Sequence, residues 1–502
     1  MPIGAPSGPR HAVFENHMPR YEPLHEEDLE ALDRGWERLV REVGVRVDHH
    51  EARRLFAEAG QTVDGDVVRL DPDFLRAQLA LAPREFDIAA RNPARSLHIG
   101  GDSMVFCAAQ GPPFARLRDE RREGTFADFQ RLVQLVQASD VLDTPGRNVI
   151  EPNDLPLDVR HLMRGQAMIR LTDRVWAGEP SSTVAAEDCL RMAEIVFGGR
   201  EAIQRQPVVF ANCNVNSPLN FDERMLEGIL AYAAAGQAVI VTPFLLMGAM
   251  APVSVPAALV QQTAEVLAGV ALAQLVRPGA PCVMGSFLSS TDMKTGSPAF
   301  GGPESAFGLC ASGQIARRLG IPWRSGGGTL TASPAVDYQA GYEAFNTLCS
   351  AFLAGANVCW QSAGWLEGGL VTSFEKFAAD VELVDLLQRQ FTPVRIDADS
   401  IAFDAHAEVG HAGHFFGAAH TLERFRDCFW RPTVATTDNH DRWTRAGRPD
   451  HAARAGDRVD ELLAAYERPP LDDAIEAELL EFVERRAREL GDPIDPALLA
   501  LA

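Results

Sequence analysis

Residues 326–369, GGGTLTASPAVDYQAGYEAFNTLCSAFLAGANVCWQSAGWLEGG, decide the fold. They read as loop, helix, strand, loop. Asp337 stands where a helix N-cap belongs, with a carboxylate able to accept from the first-turn N–H groups. Phe345, Leu348 and Phe352 recur at i, i+3 and i+7, so one face of that helix meets a core. Gly355 ends it. Asn357-Val358-Cys359-Trp360 then has the length and content of a buried strand. The loop 361–369 follows directly and carries Trp365 and Glu367. A loop leaving the carboxyl end of a barrel strand is where barrel enzymes place their chemistry.

The same unit recurs on either side. Apolar strand patterns at 208–213, 238–244, 282–287, 321–324 and 357–361 alternate with helical patterns at 221–235, 257–276, 304–319 and 340–354. Glycines at 236, 279, 320 and 355 stop the helices. Short, continuously apolar strands alternating with helices make a parallel α/β domain. Earlier strand patterns at 104–108, 148–151 and 174–178, with a further one at 415–417, bring the count towards eight. The expected fold is α/β, a (β/α)8 TIM barrel over residues 91–435. An N-terminal cap (1–90) precedes it, with helices at 26–43, 51–59 and 75–81 and a hairpin turn at 63–68. A C-terminal helical extension (436–502) follows, with apolar stripes suited to docking on the barrel or on a second subunit of a homo-oligomer. No G-x-G-x-x-G follows the first strand, so an open dinucleotide-binding sheet is disfavoured.

Composition narrows the partners. A formal net charge of −22 is wrong for a nucleic-acid binder, which must neutralise phosphates with Lys and Arg. Of the 47 basic residues only Lys294 and Lys376 are lysine; a codon bias towards arginine accounts for the other 45, and the two lysines become candidates for a role arginine cannot fill. The eight cysteines show no C-x-x-C and no metal-ligand spacing, and most lie in apolar runs, as expected of free thiols in a reducing compartment. The N-terminus has no apolar signal core, and the apolar stretch 230–253 is broken by Gly236 and Pro243. The chain is therefore read as cytoplasmic and without a membrane span.

Five loops after strands, 212–218, 243–252, 286–301, 325–338 and 362–369, would converge on one face. They are rich in Asn, Ser, Thr and Gly and poor in charge, which suits a small neutral or singly charged ligand better than a phosphorylated one. Asp292 beside Lys294 is either a surface turn or a pocket carboxylate. Gln339 and Glu343, at i and i+4, share one side of their helix, and that side faces the barrel mouth or solvent. Tyr338, Trp360 and Trp365 would ring a weakly charged pocket as a cage for a quaternary ammonium. His406, His411, His414 and His420 crowd one Gly-broken segment without the regular spacing of a metal site, so no metal is expected.

In order, NSPLNFDERMLEGILAYAAAGQAVIVTPF (216–244), GAMAPV, DMKTGSPAFGGPE, DYQAGYE, GWLEGGLVTSFEKF, GHFFGAAHT and the closing WTRAGRPDHAARAGDRVDELLAAYERPPLD resemble the trimethylamine methyltransferase family. The resemblance covers most of residues 90–490. It implies a barrel that passes a substrate methyl group to the cobalt of a corrinoid carried by a separate protein, with no cofactor bound permanently. Members acting on trimethylamine carry pyrrolysine in the loop before DYQAGYE. Here that loop, 329–336, holds ordinary residues, so the chain is similar to the non-pyrrolysine, glycine betaine branch. In that reading Phe244, Tyr338, Trp360 and Trp365 form the cage. Asp292, Gln339, Glu343 and His414 orient polar ends, and Arg324 meets a substrate carboxylate. Two other classes stay open: a barrel lyase working without corrinoid, and a quaternary-ammonium-binding protein that does not transfer.

Overall fold

The computed structural model describes residues 13–499 and 501; the first residues of the Pro- and His-containing tail, 1–12, lie outside the described residues. Seven short strands are laid side by side in parallel. They are β1 (Ser103–Phe106), β2 (Trp176–Ala177), β3 (Val209–Val215), β4 (Ala238–Met247), β5 (Cys282–Gly285), β6 (Trp323–Ser325) and β7 (Val358–Cys359). Their spatial order is β1-β7-β6-β5-β4-β3-β2. The segment around Thr144 fills the space between the two ends of this row. Cys107 pairs with Thr144 in a parallel bridge, and the Ala177 N–H donates to the Gly146 carbonyl at 2.9 Å. The sheet is mixed with helices in a barrel-like α/β arrangement.

A helix follows each strand position: α2 (Phe126–Ala138), α3 (Arg160–Leu171), α4 (Thr183–Phe197), α5 (Glu223–Ala234), α6 (Val255–Val276), α7 (Pro303–Leu319), α8 (Tyr338–Ala354) and α9 (Phe374–Gln390). They are preceded by α1 (Glu26–Arg38) in the N-terminal segment. The capping residues explain where α8 begins and ends. Asp337 accepts from the Ala340 N–H at 2.9 Å, and Gly355 closes the helix with φ +70°, a left-handed conformation that costs a glycine little. Helix α6 is long and apolar enough to cross a membrane by composition, and here it is mostly buried, packed on α1, α5 and β4. Two C-terminal helices, α10 (His451–Ala464) and α11 (Asp473–Glu489), lie on the helical layer, α10 against α9 and α2, α11 against α3 and α4.

Two sequence expectations need correction. Residues 415–417 form a turn of 3-10 helix, not a strand. The second strand position lies at Thr144, four residues before the expected 148–151; Val149 and Ile150 are apolar because they pack in the core, not because they join the sheet.

The inward side chains stack in layers, because alternate residues of a strand point the same way. Val105, Phe210, Ile240, Val283 and Val358 make an apolar floor, sealed by the hairpin Phe86–Ile88 and Leu97–Ile99. One step towards the carboxyl ends, the inward positions turn polar. There the site begins.

Candidate active site

Above the floor is a cavity of about 170 Å³. Its polar wall consists of Asn212 and Asn214 from β3, Thr242 from β4, Arg324 from β6, and Gln110, Arg147 and Gln361 from the loops beyond β1, Thr144 and β7. Phe244, Phe287, Trp360 and Trp365, with Ala177 from β2, make the rest. Its volume is small beside the 300–1,000 Å³ usual for drug-sized ligands, so it suits a compact molecule.

The two walls differ in kind. On the apolar side, Phe244 stacks on Phe287 with ring centroids 4.6 Å apart. Phe300 meets both Phe287 and Trp365 edge to face, at 5.6 and 5.5 Å. Leu330 completes this cluster, and the indole N–H of Trp365 has no hydrogen-bond partner. The loop 361–369 turns tightly enough to bring this ring inward. Gly369, at φ +93°, lies so close that a Cβ there would meet the Trp365 ring at 2.4 Å.

On the polar side, Arg324 is fully buried. Its Nη1 donates to the Ser286 carbonyl at 2.9 Å and its Nη2 to Gln361 Oε1 at 3.4 Å, while Nε has no partner. The guanidinium carbon lies 5.1 Å from the centroid of the Trp360 ring. Among the described residues no carboxylate pairs with it. Burial lowers its pKa to about 9, with only the thiols of Cys107 and Cys359 opposing. Gln361 adopts φ +57°, a left-handed backbone uncommon outside glycine and asparagine, and so directs its amide at Arg324. Thr242 Oγ1 donates to Asn212 Oδ1 at 2.7 Å, and Asn212 Nδ2 donates to Asn214 Oδ1.

The second cation of this wall is balanced. Arg147 pairs with Glu179, which is also bound by Arg164, and Arg164 in turn reaches Glu151 at 3.1 Å. Burial would raise the Glu179 carboxyl, but the two arginines outweigh it and hold the pKa at about 2.

Of the residues singled out in the sequence, Phe244, Arg324, Trp360 and Trp365 line this one cavity. The other five do not. Tyr338 is 87% exposed at the start of α8 and touches Tyr342, so it shares no cup with Trp365. Asp292 sits in an exposed turn, accepting from the Lys294 N–H and the Thr295 hydroxyl. Glu343 is buried but spoken for: Thr331 Oγ1, the Ala332 N–H and Gln339 Nε2 all donate to it, which ties α8 to the loop 329–336. Gln339 serves that same tie. His414 is exposed beside Phe416. No cluster of metal-ligating side chains occurs among the described residues.

The residues missed were Gln110, Arg147, Asn212, Asn214, Thr242, Phe287 and Gln361. Alternation along β3 and β4 carried the signal for three of them: Asn212 and Asn214 on β3, and Thr242 two residues before Phe244 on β4, are inward residues above the floor. Arg147 was hidden by the four-residue error in its strand.

The sequence matches the trimethylamine methyltransferase (MTTB) family over residues 5–491. The chain belongs to that family. It is 37% identical over 476 residues to a glycine betaine methyltransferase of Desulfitobacterium hafniense, covering 95% of this chain and 99% of the relative. It is 28% identical to a proline betaine:corrinoid methyltransferase of Eubacterium limosum, with 88% and 93% covered. Among solved structures it resembles the monomethylamine methyltransferase of Methanosarcina barkeri, with a TM-score of 0.50 at 12% identity over 90% of each chain, a likeness of fold alone. The protein is a methyltransferase.

Proposed function

We propose that the protein takes a methyl group from a small betaine, glycine betaine or a close analogue, and passes it to the Co(I) of a corrinoid presented by a partner protein. The observation that carries this is one cavity with two unlike ends: a buried guanidinium without a carboxylate, and a cluster of aromatic rings without a cation. A betaine is complementary to both. Its carboxylate would take the free edge of Arg324 in charge-assisted hydrogen bonds. Its ammonium would lie against Phe244, Phe287 and Trp365, with an attraction of about 2 kcal/mol in a desolvated site. Arg324 stands one layer nearer the floor than Phe244, so this orientation points the N-methyl groups to the mouth.

That is the only orientation a carrier can use, because the corrinoid must approach from outside. The reduced cobalt supplies the nucleophile; a Co–C bond forms, the C–N bond breaks, and its electron pair stays on nitrogen as a neutral tertiary amine. The side chains here need only fix one methyl in line and keep water away. The leaving amine departs without prior protonation, in keeping with a cavity that has no acid–base pair. The loop 329–336 contributes Leu330 to the wall and no reactive group, which suits a donor already cationic. In this reading the seven parallel strands with the Thr144 segment are the eight positions of a (β/α)8 ring.

The test is methylcobalamin formation from Co(I) cobalamin with glycine betaine, proline betaine, choline and trimethylamine. Transfer from a betaine and at least 100-fold less from choline is expected. Equal transfer from choline would remove the role of Arg324. No methylcobalamin from any donor, or turnover without cobalt, would overturn the proposal.

A further inference from the structure

The two ends of the cavity define a ligand to different degrees. At Arg324 the definition is strict: a guanidinium with an unused Nε–H takes a planar carboxylate. The other end is built from Phe244, Phe287, Trp360 and Trp365, with Ala177. No side chain in that group carries an oxygen. Its polar atoms are indole N–H groups, which only donate and so give a cation nothing to bond. What remains is the pull of ring faces, with Phe244 and Phe287 stacked 4.6 Å apart. That pull depends on charge and fit, not on the element that bears the charge. A sulfonium, with the same shell of positive C–H groups, satisfies it as an ammonium does.

The surroundings also tolerate such a donor. A sulfonium methyl is more electrophilic than an ammonium methyl and alkylates a thiolate or a free amine held beside it. The cavity lining contains neither cysteine nor lysine. The thiols nearest in influence to Arg324 are those of Cys107 and Cys359, both fully buried. Burial pushes both thiols up, far above the ordinary range, so they stay protonated and unreactive. Gln110 of the polar wall stands against the first of them, its amide donating to the Cys107 sulfur at 3.5 Å. The carboxylate behind the wall, Glu179, is held between Arg147 and Arg164.

Resting on the betaine reading of this cavity, we propose a second activity: methyl transfer to the same Co(I) corrinoid from small sulfonium carboxylates. Dimethylsulfonioacetate is the nearest analogue of glycine betaine. One carbon separates cation from carboxylate in both, so the span from Arg324 to the rings is kept, and the ligand is compact enough for a cavity of about 170 Å³. Co(I) attacks a methyl carbon; a Co–C bond forms, the C–S bond breaks, and its electron pair stays on sulfur as the thioether of methylthioacetate, while cobalt becomes Co(III). No proton moves and no further reactant is needed, which fits a cavity without an acid–base pair. The donor carries one methyl fewer against the rings, so its KM should lie about three- to fivefold above that of glycine betaine. A thioether is a weaker base than an amine and leaves more readily, so kcat should be at least as high.

The test is methylcobalamin formation from Co(I) cobalamin with glycine betaine, dimethylsulfonioacetate or trimethylsulfonium, using the wild type, Arg324→Met and no protein. The wild type should methylate cobalt from dimethylsulfonioacetate above the protein-free rate, releasing one methylthioacetate per methyl, with its own mass unchanged. Trimethylsulfonium, lacking the carboxylate, should give about 100-fold less protein-dependent transfer, and Arg324→Met should lose the reaction. Transfer from glycine betaine with none above the protein-free rate from dimethylsulfonioacetate overturns this inference and leaves the betaine reading standing. Equal rates with the wild type and Arg324→Met overturn it too, as does a protein that gains methyl groups in place of turning over. Transfer from neither donor overturns the betaine reading and this inference with it. Should Arg324→Met not fold, competition decides: dimethylsulfonioacetate inhibits transfer from glycine betaine competitively in the wild type, and absence of competition overturns the proposal.

Discussion

Arg324 and Lys376 are both fully buried cations within the same group of loops, and the protein treats them oppositely. Lys376 has its carboxylate, Asp380, one helical turn away, and also donates to the Thr329 carbonyl at 3.2 Å. Asp380 accepts in addition from the Gly364 N–H and the Thr329 hydroxyl. The pair is complete and pins the two loops that frame Trp365. Arg324 has a carbonyl, a distant amide oxygen and an aromatic face, but no anion among the described residues. An uncompensated buried charge is costly. A fold keeps one where a ligand supplies the missing charge. In the proposed function the difference leaves one cation to the scaffold and the other to the substrate.

The comparison breaks most readily at Arg324. Arg324→Met should lower kcat/KM for a betaine by about 10³ or more, since a site built to pair a polar group loses that much when the pairing goes. Its urea midpoint should stay level or rise, because an unpaired charge has left the core. Lys376→Met should do the reverse, costing about 3–5 kcal/mol of stability by stranding Asp380. Lys376→Met/Asp380→Leu should recover only part of it, because Gly364 and Thr329 lose their acceptor. If both single variants unfold the protein equally, the distinction between the two cations is void.

The aromatic end gives a smaller effect. Trp365→Leu removes a cation–π partner worth about 1–2 kcal/mol, so KM should rise about 5- to 30-fold with kcat little changed; a change in kcat alone would place Trp365 elsewhere in the cycle. pH sharpens the same point. Burial depresses the Arg324 pKa to about 9 in the free protein, and a bound carboxylate would raise it. Betaine affinity should then be flat below pH 9 and fall about tenfold per unit above it, as the free site loses the proton that binding requires. Calorimetric titrations at pH 8 and 10 read this directly. Tyr338→Ala should change neither stability nor kcat/KM by more than about twofold, as expected for an exposed side chain.

What could be read from the sequence follows the strength of its periodicities. The helix–strand alternation over 208–361 was plain because the floor-side parts of β3, β4, β5 and β7 are buried and read as short apolar runs between capped helices. Met104–Ala108 was equally legible. The Thr144 position was not, because its pairing is a single bridge with no run of its own. In the site, Phe244 inside β4 and Trp360 directly after β7 were placed by the strand register, and Trp365 by the short loop that follows. Residues on helices were not. Gln339 and Glu343 were seen to share a face, but the rotation of α8 about its axis is set by Gly301, Thr331 and the loop it packs on, contacts far apart in sequence. Tyr338 failed for the same reason. Asp292 and His414 failed because polar residues in long loops look alike whether they face a cavity or water.

The most direct test of the central claim is calorimetric binding of glycine betaine and of choline to the wild-type protein, two ligands sharing one trimethylammonium group and differing in the carboxylate. If Arg324 awaits an anion, glycine betaine binds at least 100-fold more tightly than choline, and Arg324→Met abolishes the difference. Equal affinities in the wild type would contradict the account.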